Sequence, residues 1–237
     1  MTLLLLHPIG LDRTTWDAVP FGSALAVDLP GHGDAAMGDV GSLDDVADAV
    51  VAALGATDEA FDVVGLSLGG MVALHLALRH PSRVRSLVVA CAPAAAPTGI
   101  LLERAEETER LGMDGMLEST IARWFTPERI EHGAPEVAAV ERRLLADDAA
   151  VIARYWRLMA QHDVRASLGT IAAPTTALAA TGDPSSPPAQ LREIADGVPI
   201  SRYVELVGPH MVHLEDPDGF AAAIAAHVRW AGARASG

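Results

Sequence analysis

The stretch "VVGLSLGGM", residues 63–71, sets a small hydroxyl residue, Ser67, among three glycines directly after a β-branched apolar run. Val63 and Val64 read as the end of a buried strand, and "LGGMVALHLALRHP", residues 68–81, reads as a helix stopped before Pro81. Between them "GLSLG" fits the G-x-S-x-G turn, a tight strand-to-helix junction that lifts the serine above the carboxyl edge of a sheet. Glycine at 65 and 69 lets the strand and the helix approach closely, which a side chain would prevent. The competing reading is a small residue that merely permits a turn, and the surroundings of the motif decide between them.

Working outward, "TLLLLH" (2–7), "ALAVDL" (24–29), "FDVVGL" (61–66), "VRSLVVAC" (84–91), "PTTALAAT" (174–181) and "SRYVELV" (201–207) are short, consecutively apolar runs. Such runs fit strands buried on both faces of a parallel sheet. Helical patterns alternate with them. "SLDDVADAVVAALG" has Ser42 as N-cap, acidic residues in its first turn and Gly55 as a stop, and "DPDGFAAAIAAHVRWAG" opens with Asp216 as cap and Pro217 as first residue. The pattern predicts an α/β fold with a mostly parallel sheet flanked by helices.

The alternation fails between about Thr98 and Ala173. There "ILLERAEETERLGMDGMLESTIARWF", "PEVAAVERRLLADD" and "AAVIARYWRLMAQHD" all read as helices. This block predicts a helical cap, residues 98–173, inserted into a core of residues 1–97 and 174–237. No internal repeat is visible.

With 237 residues, half of them hydrophobic and a fifth charged, the chain has the composition of a globular protein of one domain with an insertion. A formal charge of −14 argues against nucleic acid or an anionic membrane surface as partner. The single cysteine, Cys91, excludes an intrachain disulfide and fits a reducing cytoplasm; the residue itself reads as a small buried hydrophobe at a strand end. The opening "MTLLLLHPIG" is too short an apolar run for a signal peptide or a membrane span.

A serine hydroxyl needs a base within hydrogen-bond reach and a third group to orient that base. After Ser67, "TGDPSSPP" closes a late strand with Asp183 and "GPHMVHLEDP" closes the last with His210, both at strand ends where ligands gather in open α/β sheets. Asp183 also suits a plain turn before proline. His213 competes with His210, and "HMVH" suggests a pair of metal ligands, but the sequence places no further ligands nearby, so neither metal nor cofactor is expected. His210 is preferred because it directly follows the Gly-Pro turn. His7, His32, His75, His80, His132, His162 and His227 have no partner legible in the sequence. Negative charge built on a carbonyl oxygen calls for two waiting backbone N–H groups. Leu68, after the serine, supplies one; Ile9, in "HPIGLDRTTWD", supplies the other, since Pro8 has none to give.

The set "LLLLHPIG…W", "DLPGHG", "GLSLGGM", "TGDPSSPP" and "GPHMVHLEDPDGF" resembles the α/β-hydrolase superfamily across nearly all the chain outside the cap. "IGLDRTTWD" (9–17) and "IARWFTPE" (121–128) further resemble the 3-oxoadipate enol-lactonases. The resemblance implies Ser67 as nucleophile, His210 as base, Asp183 as its orienting carboxylate, and Ile9 and Leu68 as the oxyanion hole. It also implies that Trp124 lines the pocket from the cap. Cap-to-core packing is the rival reading for Trp124 and the preferred one for Trp156. Met211 is a further candidate substrate contact, and Arg123 is one for a substrate carboxylate, against the reading of a solvated helix arginine.

Three departures from the resembled family stand out: a sheet short of the hairpin of two strands usual before the first strand is expected, His7-Pro8 replaces a His-Gly pair, and Pro209 replaces the glycine before the expected catalytic histidine. The expected activity is hydrolysis of a small ester or lactone through an acyl-enzyme, by a cytoplasmic monomer or homodimer. The alternatives are a C–C bond hydrolase or lyase of the same fold, and a receptor-like member that binds ligands with little turnover.

Overall fold

The computed structural model describes residues 2–57 and 59–235. Six strands form one sheet, β1 (Leu3–Leu6), β2 (Ala24–Val27), β3 (Phe61–Leu66), β4 (Val84–Ala90), β5 (Thr175–Ala180) and β6 (Ser201–Leu206), in the order β2-β1-β3-β4-β5-β6. Every pairing among them is parallel. The six apolar runs are these six strands, and no antiparallel strand joins the sheet among the described residues. Burial on both faces holds for β3, β4 and β5, whereas β2 and β6 are partly exposed along their length. Those two are the sheet edges, so each lacks one neighbour, a position that apolar content alone does not reveal.

The register brings the strand ends together. Leu6 lies opposite both Val27 and Gly65, Leu66 opposite Ala90, Ala90 opposite Leu178, and Ala180 opposite Leu206. The loops that follow β1, β3, β4, β5 and β6 therefore all leave the same carboxyl edge. The chain steps from β1 to β2 on one side and then to β3 on the other, so the order reverses between β1 and β3. A crevice opens at such a reversal, and the loop after β1 and the turn carrying Ser67 flank it.

Helices α1 (Leu43–Ala53) and α2 (Leu68–Arg79) are held to each other by polar contacts: His75 to Asp44, and Arg79 and His80 to Asp48. Ser42 caps α1 by accepting from the Asp45 N–H at 3.2 Å, and Gly55 follows its end at φ 74°. Between β4 and β5 come α3 (Thr98–Trp124), α4 (Pro127–Glu131), α5 (Pro135–Leu145) and α6 (Ala149–Met159). Gly112, at φ 68°, breaks α3 into two helical runs. The segments leading into and out of this helical group are tied together: the Ala96 N–H donates to the His162 carbonyl and the Val164 N–H to the Ala94 carbonyl, both at 2.8 Å. Helices α7 (Pro188–Gly197), α8 (Val212–Glu215) and α9 (Pro217–Ala235) complete the chain, and no helix among the described residues is long and apolar enough to cross a membrane.

Candidate active site

The serine turn is held by what its glycines allow. A Cβ on Gly65 would lie 2.1 Å from the Gly69 carbonyl oxygen, and one on Gly69 would lie 2.0 Å from the Leu6 carbonyl oxygen. No side chain fits either place, so β3, α2 and β1 close on one another only through glycine. Ser67 sits at φ 57°, ψ −119°, a conformation costly for any residue with a Cβ and fixed here by the bond from its N–H to the Ala90 carbonyl at 2.9 Å.

Around this turn the structure brings together the three distant residues expected to meet. His210 Nε2 lies 3.0 Å from Ser67 Oγ, and His210 Nδ1 lies 2.7 Å from Asp183 Oδ2. The other carboxylate oxygen of Asp183 accepts from the N–H groups of Ser185 at 2.7 Å and Ser186 at 3.1 Å. All three side chains are buried. Burial alone raises a carboxyl pKa, but attraction to the adjacent His210 ring, its hydrogen bond and the two backbone donors hold Asp183 below the usual value. An ionised Asp183 accepts the Nδ1 proton, which leaves Nε2 free to accept from the serine hydroxyl.

Cys91 is the neighbour that its sequence context hid. It is fully buried, sits at φ 49° after β4, and its thiol lies beside Asp183. Burial and the Asp183 charge push that thiol well above its usual value, so it stays protonated. The nearest ligand atoms of Cys91, Asp183 and His210 lie within 4.8 Å of one another. The 2.7 Å contact between two of them is closer than the roughly 3.3 Å between two ligands of one tetrahedral ion, so the cluster is packed as a hydrogen-bonded set.

Ile9 lines the cavity above Ser67, a narrow space of about 80 Å³ that Trp124, Trp156 and Arg104 also wall. His7 fixes the loop that carries Ile9. Its Nε2 accepts from the Leu29 N–H at 2.9 Å, so Nδ1 carries the hydrogen and donates to the Pro8 carbonyl at 2.8 Å. Burial lowers the His7 pKa to about 4, which matches a neutral ring serving as one acceptor and one donor. Leu68 opens α2, where its N–H has no carbonyl one turn back to bond to.

His213, the rival of His210, lies fully buried, accepting from or donating to Thr15 Oγ1 at 2.8 Å and packing on Trp16 at 5.0 Å between ring centroids. Burial and the nearby His210 lower its pKa to about 3. It braces the loop after β1. Trp124 faces the cavity with its ring centroid 6.2 Å from that of His210, and its carbonyl accepts from the Met211 N–H at 3.0 Å. Met211 itself is fully buried and does not line the cavity, so its side chain packs where a substrate contact was expected. Arg123 is half-buried rather than solvated, makes only a 3.3 Å contact to Thr120 Oγ1, and likewise does not line this cavity. Trp156, read from the sequence as packing, does line it.

The histidines without a legible partner divide into two groups. His7, His32, His162 and His227 are buried, and His162 bonds through Nε2 to the Pro93 carbonyl at 3.0 Å and through Nδ1 to His75 at 3.0 Å. His80 and His132 remain nearer the surface. His7, His32 and His132 bond to carbonyls within four residues in sequence, whereas the other contacts join residues far apart, so spacing carried no signal for them.

Residues 3–223 match the model of the alpha/beta hydrolase family. The chain is similar to 3-oxoadipate enol-lactonase 2 of Acinetobacter baylyi, 27% identical over 163 residues, which are 68% of this chain and 61% of that one. A pimeloyl-[acyl-carrier protein] methyl ester esterase of Neisseria meningitidis is 44% identical over 88 residues, 35% of this chain. That match spans only about a quarter of the relative, 27% of its length. Among solved structures, a hydrolase from Pseudomonas aeruginosa PA01 superposes with a TM-score of 0.90 at 27% identity, covering 96% of this chain and 89% of that one. The chain thus belongs to the alpha/beta hydrolase family and is related within it to the 3-oxoadipate enol-lactonases.

Proposed function

We propose that the protein is a serine hydrolase that cleaves a small ester or lactone through an acyl-enzyme. The observation that carries this reading is the linked pair of contacts from Ser67 Oγ to His210 Nε2 at 3.0 Å and from His210 Nδ1 to Asp183 Oδ2 at 2.7 Å, mounted on a strained turn. The esterase and enol-lactonase relatives support ester or lactone bonds as the target.

In this reading Ser67 Oγ attacks the substrate carbonyl as His210 Nε2 takes its proton. The oxygen that becomes negative is received by the N–H groups of Ile9 and Leu68. His210 returns the proton to the departing alkoxide as the C–O bond breaks, leaving Ser67 acylated. A water, deprotonated by His210, attacks the acyl carbon; the carbon–Ser67 bond breaks and the serine regains a proton. Asp183 stays ionised throughout and stabilises the imidazolium, while the N–H groups of Ser185 and Ser186 hold Asp183 in place. The helices of residues 98–173 act as a cap over the core of residues 1–97 and 174–237, with Trp124 as a wall of the acyl pocket.

The test is a panel of lactones, enol-lactones and short linear esters run against the wild type and Ser67→Ala, with fluorophosphonate labelling of both. Turnover and labelling of the wild type, both lost in Ser67→Ala, are the expected results. Full esterase activity in Ser67→Ala would refute the assignment. Ligand-dependent stabilisation without turnover or labelling would favour a binding protein, and proton exchange on a carbon acid without ester cleavage would favour a lyase.

A further inference from the structure

Resting on the hydrolase reading, we infer that Arg143 and Asp147, at the end of helix α5 and just past it, are positioning residues for the turn that carries Ile9, so that the rate of the reaction depends on a clamp between the cap and the loop after β1.

The turn runs from Pro8 to Leu11, closed by the Leu11 N–H donating to the Pro8 carbonyl at 3.3 Å, with Gly10 at φ 70°. His7 fastens it on the side of the core. On the other side it meets the cap. A Cβ on Gly10 would lie 2.6 Å from Leu144 Cδ2 and 3.5 Å from Asp147 Oδ2, so both side chains pack directly against this glycine. Between them in function stands Arg143, which forms one ion pair from Nε to Asp12 Oδ2 at 2.8 Å and a second to Asp147 Oδ1. Asp12 in turn accepts through Oδ1 from the Thr14 N–H at 2.9 Å and so caps the short 3-10 helix Arg13–Trp16. The cap therefore grips the loop on both sides of Leu11, at Gly10 and at Asp12.

Two carboxyl groups share one guanidinium in this clamp, and they are not alike. Burial raises the pKa of Asp12, but the Thr14 donors and Arg143 outweigh it and hold Asp12 below the usual carboxylate value. The Asp147 side chain is only 3% exposed, and its Oδ2, the oxygen that faces Gly10, has no hydrogen-bond partner. An unpaired buried anion costs far more than an unpaired buried hydroxyl, so Asp147 is the member that keeps a proton. Burial raises its pKa to about 7; Arg143 opposes the rise and Asp12 adds to it. The other titratable groups that act on this set are His7, after β1, and His32, after β2, both neutral through burial. Asp148, next in the chain, is exposed and accepts from the Ala150 N–H at 2.8 Å. With Asp147 protonated the clamp is neutral. Once Asp147 ionises, an uncompensated negative charge stands against the turn whose Ile9 N–H has to receive the oxyanion, and the transition state is opposed.

The test uses p-nitrophenyl acetate at a series of pH values. Arg143→Gln should lower kcat by about tenfold to a hundredfold while moving KM by less than about threefold, as expected of a donor displaced in the transition state, and Arg143→Lys should recover part of the loss. In the wild type kcat should fall on the order of tenfold from about pH 7 to about pH 9, and in Asp147→Asn that alkaline fall should vanish. A merely structural tie between cap and core would not move the pH profile. An unchanged kcat in Arg143→Gln, or an alkaline fall that persists in Asp147→Asn, would overturn the inference. The Gly10 amide resonance gives a readout without turnover: it should shift with a midpoint near pH 7 in the wild type, and Asp147→Asn should abolish that shift. A Gly10 resonance indifferent to pH, or one whose titration Asp147→Asn leaves unaltered, refutes the clamp. The Asp147-dependent titration in a wild type that hydrolyses no ester refutes the hydrolase reading alone.

Discussion

Acidification from about pH 7.5 to about pH 5 should remove most of the stability of this protein, because its buried histidines are neutral in the fold. Burial lowers the pKa of His7, His162 and His227 to about 4 and that of His32 and His213 to about 3, against 6.5 for an unperturbed ring. A histidine with a depressed folded pKa binds fewer protons native than unfolded, so stability falls as pH drops through 6.5 and levels off only below the folded value. At pH 5 each of these rings disfavours the native state by about 2 kcal/mol relative to neutral pH. Asp147 acts in the opposite sense. Burial raises its pKa to about 7, so the native state binds the extra proton and gains on the order of 2 to 3 kcal/mol at pH 5.

The net loss is on the order of 7 kcal/mol, comparable with the whole stability of a typical domain. Urea unfolding followed by circular dichroism at a series of pH values measures it, and unfolding near pH 5 should take up roughly four protons per molecule. His227→Gln should flatten the curve by the share of one ring. An unfolding free energy that stays level between those two pH values would refute the reasoning, since it would mean that these rings are solvated or already charged in the native state.

Three further outcomes follow from the site. Asp183→Asn keeps an oxygen for the Ser185 and Ser186 N–H groups but no longer holds His210 in the tautomer that accepts from Ser67; kcat should fall by about four orders of magnitude with little change in Tm. Ser67→Gly relieves a backbone at φ 57°, and after loss of the contact to His210 the net gain should be about 1 kcal/mol, seen as a rise in Tm with activity abolished. His7→Phe leaves the buried Leu29 N–H without its acceptor, which should cost about 1–3 kcal/mol in urea unfolding; by freeing the Ile9 loop it should also lower kcat more than it raises KM.

The sequence by itself determined the elements and the order in which they come. The six apolar runs are the six strands, and the failure of alternation after Thr98 is the helical group α3 to α6. The glycines of "GLSLG" state their own reason, since a close approach of two backbones excludes a side chain whatever lies further away. Asp183 and His210 were legible because polar residues directly after buried strands have few other tasks, and chain order supplied the roles expected of them.

Only the tertiary structure decided what meets across long separations. Cys91 reads as one more apolar residue until the register of β4 against β5 carries it to Asp183. His7 reads as a loop residue until β2, pairing beside β1, presents the Leu29 N–H to its ring. Arg104 follows an ordinary helical pattern, and Trp156 beneath it is not written near it in the chain. Local pattern records the period of an element and the face it buries. Burial, pairing and charge balance are sums over neighbours that chain topology alone brings together, so the cavity above Ser67 became visible only once the strands had been set in register.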